Sequence, residues 1–315
     1  MTTLPPNPLV TNPEAIPGQN FKRPLLILTA WLAMLLMSKL PLVMSRELFL
    51  ADIPWITPAW IGASILFFAL TFVWPALVPL RGFFVVMGVI FLVTTLLDPW
   101  IARSAAWQSI FEGAAPLIVL FGERVLIAIE ALIVLGALFL MGLKRRDVFL
   151  TTGDLNAPVD GKSMNARKKP VSWMAFGSAM ALLLSGLFFA FMASQNPQVL
   201  SSFTAAIPWL PVVLVSAALN AFGEEAMYRA APLAVLLPAV GPKHALWLTA
   251  IWFGLGHYYG GIPSGPIGFV QSGLLALLLG KAMLDTRGIG WPWIIHLALD
   301  TVIYMMIAMQ VVARL

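Results

Sequence analysis

Glu224-Glu225-x-x-x-Arg229 places two adjacent carboxylates and a guanidinium inside a segment that is otherwise apolar. Two more polar positions follow in the same C-terminal half, Phe253-x-x-x-His257 and His296-x-x-x-Asp300, each again within apolar sequence. A charge at the bilayer centre costs on the order of a few kcal/mol, so it persists where it faces a bundle interior or a watery cavity. Acids and imidazoles gathered in such a place can activate water and stabilise a developing negative charge. Three such intrusions in one half of the chain read as an active site.

On a helix, Glu225 and Arg229 stand at i,i+4 with the acid first, the favourable order for an ion pair. Burying either charge alone would be strongly destabilising, so the two are expected to neutralise each other. Glu224, about 100° round the helix, then has no charge partner in its own segment and is the candidate general base. Asn220 and Tyr228, at i−4 and i+4 from it, extend the polar stripe. His296 and Asp300 are also i,i+4, which lets the carboxylate reach the ring and orient it. Taken singly, Phe253 reads as packing, His257 as a hydrogen-bonded core residue, and His296–Asp300 as a local pair. His244, beside Lys243 near a loop end, reads as interfacial and outside the site. Residue counting puts Glu224 and His257 at one depth and His296 about 10 Å away. Tilt or a kink would have to absorb that difference.

The elements that position these groups must lie in lipid. Hydrophobic residues make up 60% of the 315-residue chain, charged residues 10%, and the mean hydropathy is +0.90. A soluble domain would carry about 25% charge. The fold class expected is therefore all-α, a polytopic transmembrane bundle with a polar cavity among its C-terminal helices. Spans need about 20 mostly apolar residues each, and candidates fall near 24–44, 55–78, 83–97, 122–143, 172–193, 207–231, 243–258, 265–281 and 289–313, about eight or nine in all. The stretch 98–121 mixes Arg103 and Glu112 with apolar residues and reads as an interfacial amphipathic helix. Prolines and tryptophans at the segment ends fit an interfacial aromatic belt.

The sequence contains no cysteine, which excludes disulfides, thiolate metal sites and cysteine nucleophiles. The net charge of +5 is concentrated in a few loops, which argues for membrane orientation rather than nucleic-acid binding. The interval 144–170 holds seven Lys or Arg against three Asp, placing it and the N-terminus on the cytoplasmic side. Four regions follow: a disordered cytoplasmic tail over 1–23, a four-span region over 24–143, a basic cytoplasmic loop over 144–171, and a helical bundle over 172–315 that carries the polar motifs. Lys22 and Arg23 open an apolar run that lacks a small-residue cleavage site, so it reads as an uncleaved first span.

The order and spacing of the three motifs over 172–315 resemble the CPBP family of CAAX proteases and bacteriocin-processing enzymes, including the type II CAAX prenyl endopeptidases. The family pattern is Glu-Glu-x-x-x-Arg, then Phe-x-x-x-His, then His-x-x-x-Asn or a near equivalent. The resemblance implies an intramembrane endopeptidase of glutamic type. In it Glu224 would activate water, His257 would help position it, and His296 with residue 300 would stabilise the oxyanion. Glu225 and Arg229 would hold the architecture.

Asp300 stands where Asn is common, and an ionised Asp cannot donate to an oxyanion. Either Asp300 carries a proton, or it only orients His296, which then donates alone. A third arrangement is a zinc site, because Glu224, His257, His296 and Asp300 form an N/O ligand set that Zn²⁺ accepts. The metal-free form, with no cofactor, is preferred. The expected substrate is a membrane-anchored or lipidated protein or a hydrophobic peptide, met in a bacterial inner membrane. Two competing functions are a non-proteolytic scaffold or immunity protein on the same fold and an ion-coupled transporter. The transporter would call for paired repeats, and the N-terminal half has no counterpart of the motifs.

Overall fold

The structure is a computed structural model and describes residues 22–159 and 170–314. Most of the tail read as disordered and the 160–169 part of the basic loop lie outside the described residues. The described residues are all-α; the β pairing found there is a bridge between Pro158 and Ser172. In chain order the α-helices are α1 (Lys22–Leu36), α2 (Leu40–Glu47), α3 (Ile56–Val73), α4 (Arg81–Leu92), α5 (Asp98–Ala102), α6 (Ala105–Phe111), α7 (Pro116–Leu140), α8 (Trp173–Gln195), α9 (Phe203–Ala206), α10 (Leu210–Glu225), α11 (Ala231–Gly260), α12 (Gly265–Thr286) and α13 (Gly290–Val312). α11 is interrupted at Gly241, whose φ of +80° is open to glycine.

Local chemistry explains many of the boundaries. Proline occupies the first turn of α2, α7 and α10, where its missing N–H would have no helical partner anyway. Ser104 and Ser172 cap α6 and α8 by accepting from the Trp107 and Ala175 N–H groups. Two π turns, Val93–Leu97 and Ala226–Ala230, each end two residues before a proline, Pro99 and Pro232. A proline removes an i→i−4 donor and crowds the carbonyl four residues back, and a wider turn relieves both. The second π turn holds Tyr228 and Arg229.

Among the described residues, six helical stretches are long and apolar enough to cross a membrane, or seven if the α1–α2 pair, bent by 50°, is one broken span. The chain is an integral membrane protein. Between 98 and 121 it forms the two short helices α5 and α6 and then the start of α7.

The described chain divides into two compact units. The first comprises the helices up to Gly88 together with Pro232–Ala276. Within it, Lys39 at the α1–α2 break donates to the Gly256 carbonyl at 2.9 Å, and Tyr259 donates to Glu47 at 3.1 Å. His244 accepts from Trp31 Nε1 at 3.2 Å.

The second unit comprises Val89–Ala231 and Leu277–Leu315. Its core is α10 packed along α7 on one flank and α13 on another, with α8 covering α13. The described part of the basic loop is an ordered segment laid against the corner between α12 and α13. Asp154 N–H donates to Thr286 O at 2.8 Å, Ile289 N–H to Thr151 O at 2.9 Å, and Trp291 Nε1 to Leu155 O at 2.9 Å. Backbone meets backbone there because Gly153 and Gly288 carry no side chain: a Cβ on Gly153 would lie 2.5 Å from Thr286 O, and one on Gly288 2.5 Å from Thr151 O.

Gly288→Ala should therefore lower stability by about 1–3 kcal/mol through overpacking. Gly186→Ala in α8, where a Cβ meets nothing within 4 Å, should be neutral or slightly stabilising. Thermal unfolding of both variants in the same detergent checks the contrast.

Candidate active site

The Glu-Glu pair closes α10, directly before the π turn. Gly223 precedes it because α7 runs against the backbone at this point: a Cβ there would run into the Ile127 side chain and stand 3.1 Å from the Ile127 carbonyl. Small residues permit this kind of close helix approach in membranes.

Glu225 and Arg229 form an ion pair with side chains 0% and 1% exposed. Glu225 has a second partner that helical spacing did not indicate. Its Oε1 is 2.8 Å from His296 Nδ1, on α13. The carboxylate can only accept, so Nδ1 carries the hydrogen and Nε2 is left to face the rest of the site. Two carboxylates lie there, Glu224 Oε2 and Asp300 Oδ1, each 3.7 Å from Nε2.

Of the acids around the ring, Glu225 makes the shorter contact. Glu225 holds His296 at hydrogen-bond distance, whereas Asp300 stands one helical turn further along α13 and beyond that distance from Nε2. Asp300 Oδ2 instead accepts from Asn220 Nδ2 at 2.9 Å. Asn220 also reaches Glu224 Oε1 at 3.4 Å, so Glu224 does have a neighbour within its own helix.

The 10 Å depth difference assigned to His296 is also absent between it and the glutamates. Residue counting treats all helix ends as level, which the contacts of His296 do not require. Trp293 Nε1, bonded to Ala218 O at 3.0 Å, fixes the register of α13 on α10.

Arg124 on α7 is a participant that the motifs did not reveal. Its Nη1 lies 3.1 Å from Asn220 Oδ1, and its guanidinium sits over the Tyr304 ring, 5.6 Å from the centroid. The available signal was Glu123-Arg124 and Glu130 within an apolar 25-residue helix, the same kind of intramembrane charge that marks the Glu-Glu pair.

Phe253 and His257 belong to the first unit. His257 Nδ1 is 3.0 Å from the Phe253 carbonyl, and a carbonyl accepts, so Nδ1–H donates and Nε2 of the neutral ring keeps its lone pair. The Phe253 backbone thus fixes the tautomer, while its ring packs against the imidazole at 4.4 Å. Among the described residues, no group of three or more His, Asp or Glu side chains is arranged to hold a metal ion.

Residues 205–302 match the family described as Rce1-like, type II CAAX prenyl endopeptidase Rce1-like. This part of the chain belongs to the CAAX protease family. The matched stretch includes Glu224, Glu225, Arg229, His257, His296 and Asp300 and ends just beyond the last of them. The match supports a protease of the CAAX family, and the apolar helices set it in a membrane. Comparison with curated proteins and with solved structures finds no match to either.

The unequal burial of the two glutamates gives a stability test. Arg229→Met strands a fully buried carboxylate and should cost about 3–5 kcal/mol. Glu224, with 17% of its side chain exposed, should tolerate Gln within about 1 kcal/mol. Denaturation midpoints of the two variants in matched micelles check the difference.

Proposed function

We propose that the chain is a CAAX-type protease that hydrolyses a peptide bond of a membrane-anchored or lipidated protein or hydrophobic peptide, with Glu224 as the general base. The observation that carries this reading is the contrast between the two acids. Glu225 is fully buried between Arg229 and His296, whereas Glu224 keeps 17% of its side chain exposed and faces His296 Nε2 at 3.7 Å. Glu224 is the carboxylate a water molecule can reach.

In the first step Glu224 takes a proton from water as the hydroxyl oxygen bonds to the substrate carbonyl carbon. The carbonyl π electrons move to oxygen and form a tetrahedral oxyanion. Collapse of that intermediate breaks the C–N bond, and the proton held by Glu224 passes to the departing amine. His296 is the oxyanion partner of this scheme. With its Nδ1 hydrogen committed to Glu225, it donates from Nε2 in the doubly protonated form. Asp300, tied to Asn220, supports His296 through charge. We assign His257 to the handling of water on the family resemblance, and its lone pair at Nε2 suits it to accept a proton.

The scheme is metal-free and needs no cofactor. It includes a polar cavity within the membrane, onto which Glu224 opens. The bundle is taken to have the larger span number, eight or nine. α7 is counted as a span despite its charges, and the 64-residue apolar run over Pro197–Gly260 crosses twice because it is far longer than the roughly 30 Å hydrocarbon core requires. We place the chain in a bacterial inner membrane on the family resemblance, with its N-terminus in the cytoplasm by the basic loop rule.

Glu224→Gln and His257→Ala should each lower cleavage by about 10²–10⁴-fold. Comparing the termini of membrane proteins in wild-type and Glu224→Gln cells checks this in vivo, and identical termini would sink the protease reading. Cleavage by the purified enzyme should persist after dialysis against EDTA and after 1,10-phenanthroline. Loss of activity that zinc restores would replace the metal-free scheme with the zinc one.

A further inference from the structure

The amide of Asn220 is oriented by a residue outside all three motifs. Arg124 can only donate, so the Asn220 atom 3.1 Å from its Nη1 is the amide oxygen. The NH₂ group therefore points the other way, and its two hydrogens face two carboxylates: Asp300 Oδ2 at 2.9 Å and Glu224 Oε1 at 3.4 Å. The reverse rotamer would set the amide oxygen against both carboxylates and the NH₂ against the guanidinium, losing all three interactions.

Asn220 and Asp300 are 5% and 4% exposed, so water does not compensate for a wrong rotamer. Arg124 is itself held from α7, with Nη2 3.4 Å from Glu123 Oε2 and its guanidinium over Tyr304. The α7 backbone approaches α10 at Gly223, adjacent to Glu224, so the arginine is delivered from a helix already packed against the acids.

We propose that Arg124 is a positioning residue for hydrolysis, acting through Asn220. It fixes the amide so that one neutral NH₂ group bridges Glu224 and Asp300 and holds the two carboxylates side by side. The inference rests on the assignment of Glu224 as the base. It also gives Asp300 a defined place: the acceptor of the amide hydrogen that keeps Asn220, and with it Glu224, in register.

The test uses the full-length protein in proteoliposomes and a membrane-anchored peptide that the wild type cleaves and Glu224→Gln does not. Arg124→Met should lower kcat by about 10-fold or more with KM within about twofold, because the base is misplaced while substrate contacts remain. Arg124→Lys, which keeps the charge and a donor, should recover most of that loss. The double variant Arg124→Met/Asn220→Ala should be no slower than Asn220→Ala alone, within about twofold.

Additive losses in the double variant, or a change confined to KM, would overturn the positioning role and leave the function of Glu224 standing. If Arg124→Met does not fold, Asn220→Asp keeps the shape and replaces the NH₂ with an acceptor. It should show the same fall in kcat, and wild-type kcat in that variant would overturn the proposal. A wild type that cleaves no such peptide, or a Glu224→Gln variant that still cleaves it, would overturn the functional reading and this inference with it.

Discussion

One carboxylate organises the second unit. Glu225 is buried completely, and an uncompensated charge in that position would outweigh much of the net stability of an ordinary domain. It is tolerated because Arg229 supplies the countercharge and His296 a hydrogen bond. Each partner pays in freedom: Arg229 is fixed in the π turn and His296 in ring orientation and tautomer. The shared acid thereby joins α10, the π turn and α13 at one point and determines which imidazole nitrogen faces Glu224.

The backbone around that point is arranged to let these groups meet. Pro232 follows the π turn, and the widened turn relieves the donor and the space that a proline removes from a helix. Gly223 brings α7 close enough for Arg124 to reach Asn220. At the start of α13, the segment 144–159 is bonded to the α12–α13 corner. Much of the polar chemistry is thus positioned by small residues and helix irregularities, since the apolar side chains of such helices carry little directional information.

Three carboxylates close together in an apolar bundle serve different ends because their partners differ. Glu225 is saturated by cationic and donor groups, and Asp300 is tied to an amide. Glu224 has a long contact to the same amide and partial exposure, so it is the acid least committed to structure. An asymmetry of this kind supports the proposed role of Glu224: one group accessible, with neighbours held by their own partners.

The sequence alone determined the class of protein and the local pairings. Its hydropathy marks an all-helical membrane chain, the segment limits fall close to the observed helices, and the order of the three motifs leads to the family that residues 205–302 match. Glu225 and Arg229 could be paired on paper because they lie four residues apart, and helical geometry acts over that range. The partner that orients His296, the anchor of Asp300 and the entry of Arg124 were decided only by the tertiary structure. Those contacts link residues 71, 80 and 96 positions apart. Helical periodicity says which residues share a face, but it does not say which faces meet or how far neighbouring helix ends are staggered. Here the close approach at Gly223 marks one place where two faces meet.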